Sequence, residues 1–373
     1  MRWMRGIFAV LAITAICAAM VAAQPGPADG PYKVLKTAKV GGDGAFDYIS
    51  ADVAARRLYI PRRDPSGLTV FNLDTLEPVG AIPTIAAGGA VVDPKTHHGF
   101  STTKPITMWD AETLKVIKTI DVDGRPDGML FDRFNERVWI LSHQPPYATV
   151  IDAVAGTVVG TIDLGGAPEE ATTDGNGTVY VNISDKANVA VVDAKTLTVT
   201  AHYDVSSKGV SGGSGLSLDQ KNGILFAYYR QPSPTVVILS AKDGKIITTM
   251  PTGAMVDTVA FNPQTMEAIS AEGAGSMTFI KENSPTEFVL EQTVKTMAGA
   301  KTLVLDTKTG HLLTMTAEYG PAPAGGQQPG PGGPPPTGAG GPPPQGAGGP
   351  PMGGRPMRGP MLPGSFSILM IGR

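Results

Sequence analysis

An aspartate or asparagine recurs seven times along this 373-residue chain, each time between two short apolar runs. In "YISADVAARRLYI" it is Asp52, in "AVVDPKTHHGFS" Asp93, in "GMLFDRFNERVWI" Asp132 and in "EATTDGNGTVYV" Asp174. "GLSLDQKNGILFA" carries Asp219, "TVAFNPQTMEAIS" Asn262 and "TLVLDTKTGHLLT" Asp306. Neighbouring landmarks stand 41, 39, 42, 45, 43 and 44 residues apart. A second landmark runs in phase: Asn72, Asp110, Asp152 and Asp193 each close a β-type run and open a turn. Runs rich in Val, Ile, Thr and aromatic residues, set between Asp, Asn and Gly turns, read as strands. One unit is therefore four short strands in about 42 residues, the period of a β-propeller blade. Seven units predict an all-β fold, a seven-bladed β-propeller of four-stranded antiparallel blades.

The two ends complete the count. The seventh unit begins at Lys301, reaches "HLLTMTA", and is then interrupted by a stretch that is almost all Gly and Pro, residues 321–364. Such a composition cannot bury apolar surface and predicts a disordered loop. The chain resumes a strand pattern in "SFSILMIGR". The fourth strand of that blade is then supplied by "YKVLKTAKV", residues 32–40. N- and C-terminal strands meeting in the last blade leave no open sheet edge. The expected propeller domain covers residues 32–320 and 365–373.

Residues 1–23 fall outside it. Arg2 and Arg5 precede an apolar run to Val21 that closes on small residues, the pattern of a secretory signal cut near Ala23. The run is short for a bilayer span, so no membrane span is expected after cleavage and the expected location is periplasmic or secreted. Cys17 is the only cysteine and would leave with the signal, which excludes disulfides, thiolate metal sites and a cysteine nucleophile from the mature chain. Lys and Arg number 30 against 33 Asp and Glu; without Arg2 and Arg5 the balance is 28 against 33, a net charge of −5. That mild acidity gives no support for a nucleic-acid partner.

The units resemble the YVTN-type repeats of secreted bacterial seven-bladed propellers (YncE-like). The resemblance rests on "FDYISADVAARRLYIPR", "GTVYVNISDKANVAVVDAKTL", "DTVAFNP", "MTFIKENSP", "AKTLVLDTKTGHLLTMTAEYGP" and "PGSFSILMIGR", and it spans residues 32–373. It implies the propeller fold but leaves function open, because such propellers serve as binding modules while related ones host lactonases, lyases and dehydrogenase subunits. A WD40 reading would rest on "MWD", which occurs once, and Asp110 aligns there with Asn72, Asp152 and Asp193.

The start of each blade's first strand lies at one mouth of the central channel. Five positions before the landmarks stand Asp47, Gly88, Asp127, Glu169, Ser214, Asp257 and Lys301. Four of the seven are carboxylates, and in the next four positions of every unit the only charged residue is Glu170. Converging carboxylates repel one another and need a cation, a shared proton or a lysine to coexist. Asp47, Asp127, Glu169 and Asp257 are thus candidate ligands for Ca²⁺ or Mg²⁺. With Arg125, Ser214 and Lys301 they are equally candidates for binding a polar ligand, with Lys301 beside Asp47 as the internal counter-charge. Blade-entry loops also need Asp and Gly for turn geometry alone, and both readings stay open.

Other candidates carry less. His143 in "LSHQPPY" is expected as an exposed loop residue on the ring's side, and His97 and His98 on the opposite face. Tyr228, Tyr229 and Arg230 read first as packing between blades and second as an aromatic wall at the mouth, and "SGGSG" lacks the strand–elbow–helix setting of a hydrolase serine. The preferred expectation is a monomeric exported binding module that takes a small polar ligand, peptide or envelope partner protein at the channel mouth. The alternatives are a divalent-metal hydrolase or lactonase using the ring carboxylates, and a structural envelope module. Whether the chain is an enzyme is not decided by the sequence.

Overall fold

The computed structural model describes residues 27–42, 44–62, 67–84, 87–321 and 359–373. The signal-like segment and most of the Gly/Pro-rich stretch lie outside these residues.

Seven four-stranded antiparallel sheets follow one another in the order the repeat predicts. The third blade is typical: Pro126–Asp132 innermost, then Arg137–Ser142, Ala148–Asp152 and, at the rim, Thr157–Ile162. The innermost strands of successive blades pack on one another around the ring, the seventh returning to the first. The seventh sheet runs Leu303–Leu305, Leu312–Thr316, Ser367–Gly372 and then Lys33–Lys39. Lys33 pairs with Gly372 and Lys39 with Ser367, so the last blade is closed by strands from both termini. Either side of the Gly/Pro-rich stretch, Tyr319 bridges Met361 and the Leu362 amide donates to the Glu318 carbonyl at 2.8 Å.

The landmark residues act as turn caps. Asp52 accepts the Ala55 amide, Asp132 that of Phe134, Asp219 that of Lys221 and Asn262 that of Gln264, all at 2.9–3.2 Å. A short carboxylate or amide two or three residues upstream mimics a backbone turn acceptor. The second landmarks do the same between third and fourth strands, as where Asp193 accepts the amides of Lys195 and Thr196.

Apolar packing sits between blades rather than at one centre. Tyr59 and Val70 of the first blade pack with Trp109 of the second, and Trp139 of the third with Val179 and Val181 of the fourth. Strands two and three of each blade are buried on both faces, whereas the rim strands are largely exposed.

Candidate functional site

Each innermost strand starts at the face where the second strand ends, because the pair is antiparallel: Pro126 faces Ser142 and Val256 faces Glu272. The local geometry at this mouth is a β-bulge repeated in four consecutive blades. Between Pro126 and Met129 two residues, Asp127 and Gly128, oppose Leu141 alone. Glu169 and Glu170 oppose Asn182 in the fourth blade, Ser214 and Gly215 oppose Tyr228 in the fifth, and Asp257 and Thr258 oppose Ala271 in the sixth. A bulge re-aims the side chain of its extra residue, which is how Asp127, Glu169 and Asp257 come to face the channel mouth.

The expected ring forms, and it is bridged by cations. Lys301 Nζ lies 3.2 Å from Asp47 Oδ1 and also bonds Asp257. Arg230 Nη2 lies 2.6 Å from Asp257 Oδ1 and 3.1 Å from Glu169 Oε1, while its Nε donates to the Val256 carbonyl at 2.7 Å. His143 Nε2 lies 2.7 Å from Asp127 Oδ2 and 3.9 Å from Glu169 Oε2. The chain of contacts therefore runs Asp47, Lys301, Asp257, Arg230, Glu169, His143, Asp127. Ser214 stands apart from it. It is buried, and its hydroxyl donates to the Tyr228 carbonyl at 3.3 Å, which leaves the mouth of the fifth blade to Arg230.

Arg125 is exposed on the rim. Its amide donates to Ser142 Oγ at 2.7 Å, and its carbonyl accepts the His143 amide at 3.2 Å. The turn behind it needs glycine: Gly124 has φ +76°, and a Cβ there would lie 2.3 Å from Ser142 Oγ. "DGRPD" and "SHQ" are thus stitched together, so that Arg125 and His143 sit side by side.

The charges shift as this geometry demands. The Asp127 hydrogen bond raises His143 above its ordinary value, against the effect of burial. Burial works against the Lys301 ammonium, yet Asp257 and then Asp47 hold its pKa above the usual lysine range. Burial raises Glu169 despite the opposing pull of Arg230. Glu170 is driven well above the carboxylate range by burial, although it accepts the Leu216 amide at 2.9 Å.

Four contributors to this site do not belong to the ring expected from sequence: His143, Arg230, Glu170 and Tyr48. His143 is half-buried and paired rather than an exposed loop residue. Tyr48 follows Asp47, and its phenol is raised far above the ordinary value by burial and then by Asp127, Glu169, Asp257 and Asp47. A group that feels all four carboxylates stands among them. The signal was present one position after the ring, where the row reads Tyr48, Gly89, Gly128, Glu170, Gly215, Thr258 and Thr302. Tyr48 and Glu170 are its only large members, and the glycines make room for them. A Cβ on Gly215 would stand 3.2 Å from Glu170 Oε2, and one on Gly89 3.5 Å from Tyr48 Cβ.

Among the described residues no three His, Cys, Asp or Glu side chains come together as a metal cage. The carboxylates named as Ca²⁺ or Mg²⁺ ligands are held by Lys301, Arg230 and His143.

Similarity to known proteins confirms the architecture and stops there. No protein-family profile matches the chain, and no curated protein matches it in sequence. Among solved structures it is similar to hydrazine synthase of Kuenenia stuttgartiensis, at TM-score 0.63 and 14% identity over 74% of this chain and 94% of that one. It is also similar to a chain of the mitotic checkpoint complex, at TM-score 0.66 and 12% identity over 82% and 95%. The WD40 repeats of RRP9 superpose at TM-score 0.63 and 11% identity over 78% and 91%. The chain is a seven-bladed β-propeller with a WD40-like repeat fold. At these identities the likeness concerns fold alone, and a fold does not by itself set a function. Among the described residues no helix is long and apolar enough to cross a membrane.

Proposed function

We propose that this protein is an exported binding module of the YVTN-repeat type that takes a small polar ligand at the channel mouth. One observation carries the reading: charged side chains from six blades meet in one bonded chain around Tyr48 at a single mouth. Turn geometry accounts for aspartates in blade-entry loops, but it requires neither Arg230 and His143 reaching in from second strands nor a tyrosine among four carboxylates. Partly buried, cross-linked charge of this kind is costly to assemble and clusters at functional sites. The apolar run behind Arg2 and Arg5 supports export.

A thermal-shift screen of small amines, polyols, carboxylates and divalent cations tests the reading, with hydrogen exchange used to localise each hit. Protection centred on residues 123–127 and 142–147 is expected. Hits that protect only the rim strands would remove the mouth from consideration. A shift by Ca²⁺ or Mg²⁺ that chelation reverses would instead favour the metal-hydrolase alternative. Cell fractionation with mass measurement of the mature chain tests export, and a mature N-terminus at Gln24 is expected.

A further inference from the structure

We propose that the ligand of the mouth is a small organic carboxylate, held by donors of Arg230, His143, Tyr48 and Arg125; this rests on the reading of the mouth as a ligand site. The sequence presents a ring of acids and points toward a cation. The folded arrangement inverts that layering. The cationic side chains are the outer ones, with Lys301 at 25%, Arg230 at 23% and His143 at 20% exposure. The acids lie beneath them, with Asp257 at 7%, Asp47 and Glu169 at 11% and Asp127 at 18%.

Hydrogen-bond capacity points the same way. Guanidinium carries five N–H groups and an imidazolium two. Arg230 spends Nε on Val256 and Nη2 on Asp257 and Glu169, and its Nη1 has no partner among the described residues. His143 spends Nε2 on Asp127, and its Nδ1 has no partner among the described residues. Neither atom is among the buried orphans, so both reach solvent. The Tyr48 hydroxyl also lacks a partner among the described residues and, with its proton held tightly, it acts as a donor. Arg125 adds an exposed guanidinium beside His143. The acceptors of the site are engaged while several of its donors are not, so the complement is a ligand rich in acceptors. A carboxylate in contact with such donors forms the stronger, charge-assisted class of hydrogen bond.

Binding should also fade as pH rises through the raised His143 value, above the ordinary 6.5. The groups facing that imidazole are Asp127, Glu169 and Arg125.

The test is calorimetric titration and thermal shift of the full chain with sodium succinate, against sodium chloride at matched ionic strength, glycerol and ethanolamine. Succinate should bind and raise the melting temperature. Arg125→Ala, on an exposed side chain, should weaken binding at least tenfold without moving the melting temperature of the unliganded protein. Tyr48→Phe should weaken it several-fold. Binding of glycerol or ethanolamine without succinate would overturn the carboxylate assignment and leave the mouth reading intact. No response to any of the three would overturn both, and succinate binding unaffected by Arg125→Ala and Tyr48→Phe would place the carboxylate elsewhere.

Discussion

Arg230 Nη2 sits 2.6 Å from Asp257 Oδ1, although the two residues belong to different blades. Arg230 ends the second strand of the fifth blade and Asp257 enters the sixth. The same nitrogen reaches Glu169 of the fourth blade at 3.1 Å. One side chain thus ties three consecutive blades at the mouth, over the small, buried Ser214 of the blade it comes from. The arginine serves as a bracket between carboxylates that would otherwise repel each other.

Removing that bracket should cost stability. Arg230→Ala leaves Asp257 and Glu169 without their shared cation, and breaking a pair of this burial typically costs about 3 kcal/mol. Arg230→Lys keeps the charge but loses the planar fork, so about 1 kcal/mol is expected. Urea unfolding at pH 7 measures both, and adding Glu169→Gln to Arg230→Ala should recover part of the loss. Equal stability of Arg230→Ala and wild type would show the bridge to be energetically idle.

The fold was legible because repetition multiplies weak signals. A single "DGNGT" turn says little, whereas Asp52, Asp93, Asp132, Asp219, Asn262 and Asp306 in register fix the period and the inner strands. Even the short hairpin of the fourth blade keeps the register, with the Asp174 amide donating to the Thr178 carbonyl at 3.0 Å. Half of the site was equally legible, since Asp47, Asp127, Glu169, Asp257 and Lys301 share one repeat position. Arg230 and His143 were not, because they come from second-strand ends, whose side chains face the mouth in some blades and a neighbouring blade in others. Tyr229 and Arg230 are adjacent in sequence, yet one is buried between blades and the other reaches the ring.

Glu282 provides a pH signature away from the mouth. Burial lifts its carboxyl to about 7; Asn222 donates to one oxygen at 2.7 Å and the other has no partner among the described residues. A raised folded value means the native state holds a proton that the unfolded state has released above its ordinary 4.5. The associated stability is present below pH 4.5 and is lost as pH rises toward 7. Glu282→Gln, which needs no proton, should gain on wild type by about 1–2 kcal/mol between pH 5 and pH 8, with solvent screening allowed for. Chemical denaturation at the two pH values checks it, and a constant difference would contradict it.

Ring closure should show the opposite sign. Arg56 of the first blade holds Asp306 of the seventh through two bonds, Nη1 to Oδ1 at 2.9 Å and Nη2 to Oδ2 at 2.6 Å. Burial would raise Asp306, but Arg56 and the turn bring it down to about 2. A lowered carboxylate contributes stability above its ordinary 3.8 that is lost as pH falls toward 2. Arg56→Met should therefore cost about 1–2 kcal/mol at pH 7 and move the acid-unfolding midpoint upward. An unchanged midpoint would mean that the bridge does not help to hold the ring closed.

Packing between blades yields the last test, at Gly99. This residue lies in the second strand of the second blade, opposite Trp109, and Trp109 is fully buried against Tyr59 of the first blade, with ring centroids 4.9 Å apart. A Cβ on Gly99 would stand 2.2 Å from Trp109 Cζ2 and 2.3 Å from Cε2. The indole is a rigid plate wedged between two blades, so it cannot yield by rotating a flexible end. Gly99→Ala should displace it and cost about 1–3 kcal/mol as an overpacked core, even though alanine is the better strand residue by propensity. The displacement should appear as a change in near-ultraviolet dichroism of the tryptophan bands together with a lower melting temperature. Trp109→Phe added to Gly99→Ala makes room and should narrow the deficit. A Gly99→Ala protein with unchanged dichroism and melting would show that this blade interface yields where its geometry says it should not.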